Sequence, residues 1–180
     1  MAGTRAISLP EPCLVVLIGA AGSGKSTLAA RLFPPDAILS SDAFREVAAG
    51  DAADQRATKT AFAILHRELD RRLAAGRTVV VDATSVTPFA RRALLRRAAA
   101  HGVPAVAIVL DLPPSTILAR NATRRGHVVP EAAVRAQLDD LARSLRPGLL
   151  EGEGFAAVHR IRTTDELDGL VIARPGQGAR

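Results

Sequence analysis

The segment "GAAGSGKST", residues 19–27, constrains the fold of this 180-residue chain more than any other feature. It follows the apolar run "LVVLI" and matches the pattern G-x-x-x-x-G-K-[ST]. A loop of small residues lets backbone N–H groups turn inward around phosphate oxygens, and a helix that starts there directs its positive end at them. We therefore predict a strand, a phosphate-binding loop and a helix, in that order.

The same segment predicts the cofactors. The Lys25 ammonium can reach the β- and γ-phosphates of a nucleoside triphosphate, and the Ser26 hydroxyl can ligate Mg²⁺. ATP or another NTP, together with Mg²⁺, is therefore the expected ligand. The whole loop is assigned to phosphate binding: Gly19, Ala20, Ala21, Gly22, Ser23, Gly24, Lys25, Ser26 and Thr27.

Five short runs of β-forming residues are nearly continuous in apolar side chains, which is typical of strands buried on both faces by helices. Helical stripes lie between them, such as Phe62, Leu65, Leu69 and Leu73. Alternating strands and helices predict an α/β P-loop NTPase fold with a doubly wound, five-stranded parallel sheet. The predicted strands are 14–18, 37–39, 78–81, 105–110 and 157–161.

Length and composition bound the remaining possibilities. We expect one folded domain at residues 13–163, with flexible ends at 1–12 and 164–180 that are rich in Pro, Gly and polar residues. The net charge of +6 weakly favours polyanionic partners. No run is long enough to span a bilayer or resembles a signal peptide, so we expect a cytoplasmic protein without a membrane partner.

The third predicted strand ends in "VVVDATS", which places Asp82 at its carboxyl end. A carboxylate in this position can hold Mg²⁺ directly or through water. Ala83 follows, where a motor ATPase would usually place a glutamate that orients water, and there is no N-K-x-D guanine motif. Both absences favour phosphate transfer to a bound acceptor over hydrolysis. The alternative interpretation of Asp82 is a strand-end acid that caps a turn.

The segment "ILSSDAFR" follows the second strand and places Asp42 and Arg45 on one helical face. A carboxylate at this sheet edge can take a proton from an attacking hydroxyl, and an arginine can grip a phosphate with two hydrogen bonds. The alternative is a helix cap with an exposed ion pair worth about 0–1 kcal/mol. Proximity to the phosphate loop favours the chemical role.

The segment "ARNATRRGHVVPE", residues 119–131, clusters Arg120, Arg124 and Arg125 beside Gly126, between two helical patterns. An arginine-rich lid with a glycine hinge would close over a triphosphate and stabilise the charge on the moving phosphoryl group. The alternative is a solvated basic loop.

Two further arginine pairs follow Thr87 and Pro88, which predict the start of a helix. These pairs, Arg91–Arg92 and Arg96–Arg97, are consistent either with a solvated helix face or with a basic track for nucleic acid.

Taken together, "LVVLIGAAGSGKSTLA", "ILSSDAFR", "AFAILH", "VVVDATSV" and "RNATR" resemble, in order and spacing, the P-loop kinase domain of bacterial polynucleotide kinase, the 5′-hydroxyl kinase module of the bacterial RNA-repair enzyme. The resemblance covers about residues 13–161. Its specific part is the combination of "SSDxxR" with "VDAT". It implies transfer of the γ-phosphate of an NTP to the 5′-OH end of RNA or DNA.

By matched position, the resemblance implies that Lys25 and Ser26 bind phosphates and Mg²⁺ and that Asp42 is the general base. Arg45 would grip the 3′-side phosphate of the acceptor, while Arg120 and Arg124 would act on the donor. Homodimer formation is also implied. The chain departs from the family pattern at Ser85, where asparagine is usual, and at His127, where a further lid arginine is expected.

Two alternative functions stay open at this point. One is a kinase of the same fold that phosphorylates a small hydroxyl compound such as a nucleoside, sugar or antibiotic. The other is an ATP-binding regulatory module that transfers nothing.

Overall fold

The computed structural model describes residues 4–49, 55–124 and 128–173, apart from the side chains of residues 45, 47–49 and 55–58. The strands are β1 (Arg5–Ser8), β2 (Leu14–Ile18), β3 (Ile38–Ser40), β4 (Val79–Asp82), β5 (Ala105–Leu110), β6 (Ala157–Ile161) and β7 (Leu170–Ala173). The helices are α1 (Lys25–Leu32), α2 (Ser41–Ala49), α3 (Gln55–Ala74), α4 (Pro88–Ala100), α5 (Pro114–Ala122), α6 (Glu131–Ser144) and α7 (Thr164–Asp168), with 3₁₀ turns at Pro35–Ala37 and Glu151–Glu153.

A five-stranded sheet, with all strands parallel and in the order β3-β4-β2-β5-β6, forms the centre of the molecule. This confirms the predicted doubly wound α/β fold. Three of the five predicted strands have the observed bounds, and the other two are shifted by one residue. Every residue of β2, β4 and β5 is buried. Burial on both faces requires continuous apolar runs, and these runs predicted the strands.

Helices cover both faces of the sheet, and the side chains of each strand alternate between them. One apolar layer lies under α3 and α4, and it includes Leu14, Val16, Ile18, Leu65, Leu69, Leu73 and Leu94. The other lies under α1, α5 and α7, and it includes Cys13, Val15, Leu17, Leu28, Ile117 and Leu167. Burial on both faces leaves the carboxyl edge of the sheet as the place where loops can form a site.

Helix α4 begins as predicted, since Thr87 is its N-cap and the Thr87 hydroxyl accepts a hydrogen bond from the Ala90 amide at 3.3 Å. Helix α3 ends before Gly76, whose φ of 68° is a left-handed conformation that favours glycine. Within the described residues, no helix is both long and apolar enough to cross a membrane.

Parts of the two segments expected to be flexible, 1–12 and 164–180, form secondary structure in the described residues. Strand β1 pairs in parallel with β7 in a small second sheet, and α7 lies directly before β7. Ile7 and Leu170 are buried in the same apolar layer as residues of α1, α5 and α7. Residues 5–8 and 170–173 therefore pack against the part of the chain expected to fold, residues 13–163.

Candidate active site

The phosphate loop lies between β2 and α1, as predicted, and its glycines are required by geometry. Gly22 and Gly24 have φ values of 86° and 100°, and residues other than glycine rarely adopt such positive values. A Cβ on Gly22 would also lie 2.7 Å from the Ile117 carbonyl oxygen. Helix α5 therefore packs directly against the loop, which leaves no space for any larger residue at this position.

Lys25 is the first residue of α1, and its side chain folds back over the loop. Its ammonium donates to the carbonyl oxygens of Gly19 at 2.8 Å and Ala20 at 2.9 Å. Burial lowers the pKa of Lys25 to about 8, against the opposing effect of the Asp82 and Asp42 carboxylates. A bound polyphosphate would place further negative charge beside this buried ammonium and stabilise its charged form.

The two predicted acidic residues lie at the same edge of the sheet. In the parallel register, Asp82 pairs with Leu17 of β2 and with Ser40 of β3. The phosphate loop therefore starts two residues beyond Leu17, and Asp42 lies two residues beyond Ser40. Asp82 is buried and Asp42 is exposed, so the two carboxylates differ in their access to solvent.

One cleft of about 770 Å³ connects these elements. Ten of the predicted site residues line it: Ala21, Gly22, Gly24, Lys25, Ser26, Thr27, Asp42, Asp82, Arg120 and Arg124. Three other residues of the loop, Gly19, Ala20 and Ser23, lie behind its surface, and Ala20 and Ser23 are fully buried. Most of the residues predicted to form the site therefore lie together at one cleft, while their roles stay predictions.

The residues at this edge suit Mg²⁺ bound together with a nucleotide. The Ser26 hydroxyl is exposed at the start of α1, and the Asp82 carboxylate lines the same cleft. Within the described ranges, no group of three or more His, Cys, Asp or Glu side chains could hold a metal ion. One carboxylate and one hydroxyl are nevertheless the protein ligands that Mg²⁺ typically uses when phosphate oxygens and water complete its shell.

Two of the predicted lid arginines reach the cleft. The Arg120 guanidinium lies 3.7 Å from the position that a Cβ on Gly24 would take. An Arg124 nitrogen lies 3.8 Å from an Asp42 carboxylate oxygen. Arg125 and Gly126 lie outside the described residues, so the lid as a moving element stays a prediction.

Asn121 fixes the base of the segment that joins α5 to α6. Its buried side-chain amide donates to the Val129 carbonyl at 2.7 Å and accepts from the Val129 amide at 3.3 Å. The two ends of the arginine-bearing segment are thereby held together, which keeps Arg120 and Arg124 at the rim of the cleft. The segment "RNATR" does not by itself indicate this role for Asn121.

Gln137 on α6 is a site residue that sequence reasoning missed. Its side-chain oxygen accepts a hydrogen bond from the Ala21 amide at 2.8 Å, in the middle of the phosphate loop. Gln137 also lines the cleft. The only signal in the sequence is that it flanks the apolar stripe that includes Val134 and Leu138, and this signal does not identify a phosphate-loop contact.

The end of α7 is another part of the cleft that the sequence patterns did not predict. Arg31 of α1 donates to the carbonyl oxygens of Leu167 and Asp168 at the end of α7, and all three residues line the cleft. A methyl group of Leu167 lies 3.4 Å from the position that a Cβ on Gly24 would take. The carboxyl end of α7 therefore lies beside the phosphate loop.

Arg91 on α4 is fully buried. Its guanidinium donates to the Ser85 carbonyl at 2.9 Å, to the Ser144 hydroxyl at 3.0 Å and to both carboxylate oxygens of Glu153. The Ser144 hydroxyl donates in turn to the Val86 carbonyl at 2.7 Å. Neither sequence interpretation, a solvated helix face or a basic track, holds for Arg91. It instead fixes the loop after β4, where Ser85 has a φ of 47°.

Arg45 lies in α2, one helical turn after Asp42. Its side chain is among those that the structure does not describe, so its predicted contact with the acceptor stays a prediction.

Solved structures of kinases share this fold. A sugar kinase from Janibacter sp. HTCC2649 has a TM-score of 0.57 and 22% identity over 84% of this chain and 85% of that one. A gluconokinase from Sinorhizobium meliloti 1021 has a TM-score of 0.53 and 19% identity over 89% and 93%. A chain of the Pnkp1/Rnl/Hen1 RNA repair complex has a TM-score of 0.66 and 21% identity over 76% and 46%, so this chain spans less than half of its length. At these identities the likeness shows the fold alone.

A family model described as an AAA domain (AAA_33) matches residues 14–147. The match begins at β2 and ends just after α6, so it includes the phosphate loop, Asp42, Asp82 and Arg124. No curated protein matches the sequence. Because the family model covers most of the chain, including nearly every element around the cleft, the chain belongs to this AAA domain family, and it has the fold of the P-loop kinases.

Proposed function

We propose that this protein is an ATP-dependent kinase that transfers the γ-phosphate to a hydroxyl acceptor, and that the acceptor is the 5′-OH end of a polynucleotide. The observation that carries the kinase assignment is the cleft itself. It brings the Lys25 ammonium, the Asp82 carboxylate and the Asp42–Arg124 pair to one edge of the sheet. A phosphate-binding group, a metal-binding group and an acid–base group are the parts that phosphoryl transfer requires.

In the proposed reaction, the loop amides and Lys25 hold the β- and γ-phosphates. The acceptor oxygen attacks the γ-phosphorus while Asp42 takes the hydroxyl proton, and the bond from the γ-phosphorus to the β–γ bridging oxygen breaks to release ADP. Arg120 and Arg124 offset the charge on the transferred group. Mg²⁺ held at Ser26 and Asp82 would neutralise charge on the phosphate oxygens.

Two features support a polynucleotide acceptor. The segments "SSDAFR" and "VVVDATS" resemble those of the bacterial 5′-hydroxyl kinase module, and both lie at the cleft. The fold is also shared with a chain of an RNA repair complex.

A small hydroxyl compound is the second candidate acceptor. The observation in its favour is the extent of the structural match, which covers 85% of a sugar kinase and 93% of a gluconokinase, against 46% of the RNA-repair chain.

The test is transfer of label from γ-labelled ATP and Mg²⁺ to 5′-OH DNA and RNA oligonucleotides, compared with gluconate, sugars and nucleosides. Oligonucleotides that already carry a 5′-phosphate serve as the matched control, because they lack only the acceptor hydroxyl. We expect label on the 5′-OH oligonucleotides and none on the control. Label on small compounds alone would establish the second candidate, and ATP binding without any transfer would indicate a regulatory module.

Arg45 distinguishes the two acceptor classes. If it holds an acceptor phosphate, Arg45→Ala should raise the KM of oligonucleotides by tenfold or more, since a charge-assisted contact to phosphate is lost. The KM of a nucleoside, which has no phosphate, should change little. Equal losses on both acceptors would contradict the assigned role.

A further inference from the structure

The outer face of α4 carries an exposed aromatic ring beside two exposed arginines. Phe89 is 85% exposed, although large apolar side chains are usually covered. Arg92 and Arg96 are also exposed, and they follow Phe89 at the i+3 and i+7 positions. This spacing puts all three on one side of the helix. We refer to Phe89, Arg92 and Arg96 as the α4 stripe.

The two arginines of the α4 stripe differ from their sequence neighbours in their charge partners. Arg91 pairs with Glu153 and Arg97 pairs with Asp70, so these two charges are compensated. In the described part of the chain, no carboxylate lies within 4.0 Å of the Arg92 or Arg96 guanidinium. The stripe therefore presents two uncompensated positive charges next to an aromatic ring.

A groove of about 480 Å³ runs beside the stripe, between α4 and the turn at residues 152–154. Arg92 and Arg96 form its charged border, and Leu95 contributes to its apolar floor. Its acidic wall residue, Glu153, is already paired with the buried Arg91. A Cβ on Gly152 or Gly154 would meet no atom within 4 Å, so the opposite wall is open.

The stripe starts at the edge of the sheet where the cleft lies. Thr84 lines the cleft, and Phe89 follows it by five positions, a span of at most about 18 Å. From Phe89, a rise of 1.5 Å per residue places Arg92 about 4.5 Å and Arg96 about 10 Å further along the axis of α4. The stripe therefore leads away from the cleft along the side of the molecule.

We propose that the α4 stripe and its groove bind the single-stranded part of a polynucleotide whose 5′ end lies in the cleft, with a base stacked on Phe89 and phosphates held by Arg92 and Arg96. This inference rests on the proposed polynucleotide acceptor and names where the acceptor strand runs. A flat ring offers every base a stacking surface, and guanidinium groups bind phosphate without sequence preference. A lone aromatic residue flanked by uncompensated cations favours a polyanion over the apolar face of a protein partner.

The experiment compares 5′-OH oligonucleotides of about 15 and about 3 nucleotides, which do and do not extend past the cleft. Phe89→Ala and the double variant Arg92→Ala/Arg96→Ala should raise the Kd and KM of the long oligonucleotide about tenfold, with kcat unchanged. The variants should phosphorylate the short oligonucleotide at the same rate as the wild type. This result would also show that the variants are folded. The matched control is Arg135→Ala/Arg143→Ala, which removes two exposed arginines from α6 and should leave both oligonucleotides unaffected.

Salt dependence gives a readout that a folding defect does not produce. Loss of two phosphate contacts should make the slope of log Kd against log salt shallower by about 1.4 for a single strand. An unchanged slope and Kd in the double-arginine variant would overturn the inference. A change in oligomeric state of the stripe variants, with oligonucleotide binding unaltered, would also overturn it and indicate a protein interface.

The proposed polynucleotide acceptor and the proposed binding surface on α4 can be contradicted independently of each other. If oligonucleotides are phosphorylated but the stripe variants behave as the wild type, the inference is wrong and the proposed function stands. If no oligonucleotide is phosphorylated but the stripe variants weaken binding of the long one, the proposed acceptor is wrong and the binding surface stands.

Discussion

The Arg124 guanidinium lies 3.8 Å from the Asp42 carboxylate, and this pair joins the segment after α5 to helix α2 across the cleft. Both side chains are more than one third exposed, so their ion pair contributes about 0–1 kcal/mol to stability. Its significance is therefore positional. It sets a cation beside the carboxylate that is proposed to receive the acceptor proton.

Asp42→Asn should reduce kcat by about 10²–10⁴-fold, the usual contribution of a general base, while ATP binding is retained. The matched control is Glu46→Gln, because Glu46 lies one helical turn further along α2 and lines the same cleft. Steady-state transfer rates and ATP binding by calorimetry measure the two effects. Near wild-type turnover in Asp42→Asn, or an equal loss in Glu46→Gln, would show that the base assignment is wrong.

Gln137→Glu should weaken ATP binding by tenfold or more without lowering stability. A glutamate can still accept the hydrogen bond from the Ala21 amide, but it places a negative charge beside the phosphates. Gln137→Met, which is similar in size and neutral, controls for the loss of the amide group. The Kd of ATP at low and high salt tests the electrostatic cause, since added salt should reduce the effect of glutamate but not that of methionine. Equal affinity in Gln137→Glu and wild type would place this residue away from the bound phosphates.

Arg91→Met should lower the free energy of unfolding by about 3–5 kcal/mol, because Glu153 and the Ser85 carbonyl lose a buried charged partner. Arg92→Met is the control, since the neighbouring arginine is exposed and should change stability by less than about 0.5 kcal/mol. Urea denaturation measures both. Pairing Arg91→Met with Glu153→Gln should recover part of the loss, and strictly additive effects would show that the two groups are not coupled.

These contacts also show what local sequence patterns can predict. The strands β2 and β5 and the start of α4 were predicted because apolar runs and a Thr-Pro cap are local signals. The positions of Asp42 and Asp82 followed, since parallel strands bring their carboxyl ends to one edge.

Long-range polar contacts were not predicted, because no local signal encodes them. The Ala21–Gln137 hydrogen bond spans 116 residues, and the Arg91–Glu153 pair spans 62. Pairing of β1 with β7 joins residues 5–8 to residues 170–173 through four-residue strands. In each case the partner is chosen by tertiary packing, so either residue alone resembles an ordinary surface or loop residue.

Lys25 makes the stability of the free protein depend on pH in a defined window. Burial lowers its pKa from 10.5 to about 8, so between these values the unfolded chain binds more protons than the folded one. The free energy of unfolding should therefore rise with pH from about 8 to 10.5. Cys13 acts in the opposite direction, since burial raises the pKa of its thiol from 9.0 to about 11.

Lys25→Met isolates the contribution of the lysine, because the variant retains Cys13 and every other titrating group. The stability of the wild type relative to Lys25→Met should increase between pH 8 and pH 10.5, measured by urea denaturation at closely spaced pH values. A saturating nucleoside triphosphate should abolish the increase in the wild type, since phosphate charge beside the ammonium restores a high pKa in the folded state. A pH-independent difference between the two proteins would show that Lys25 is not held in a desolvated site.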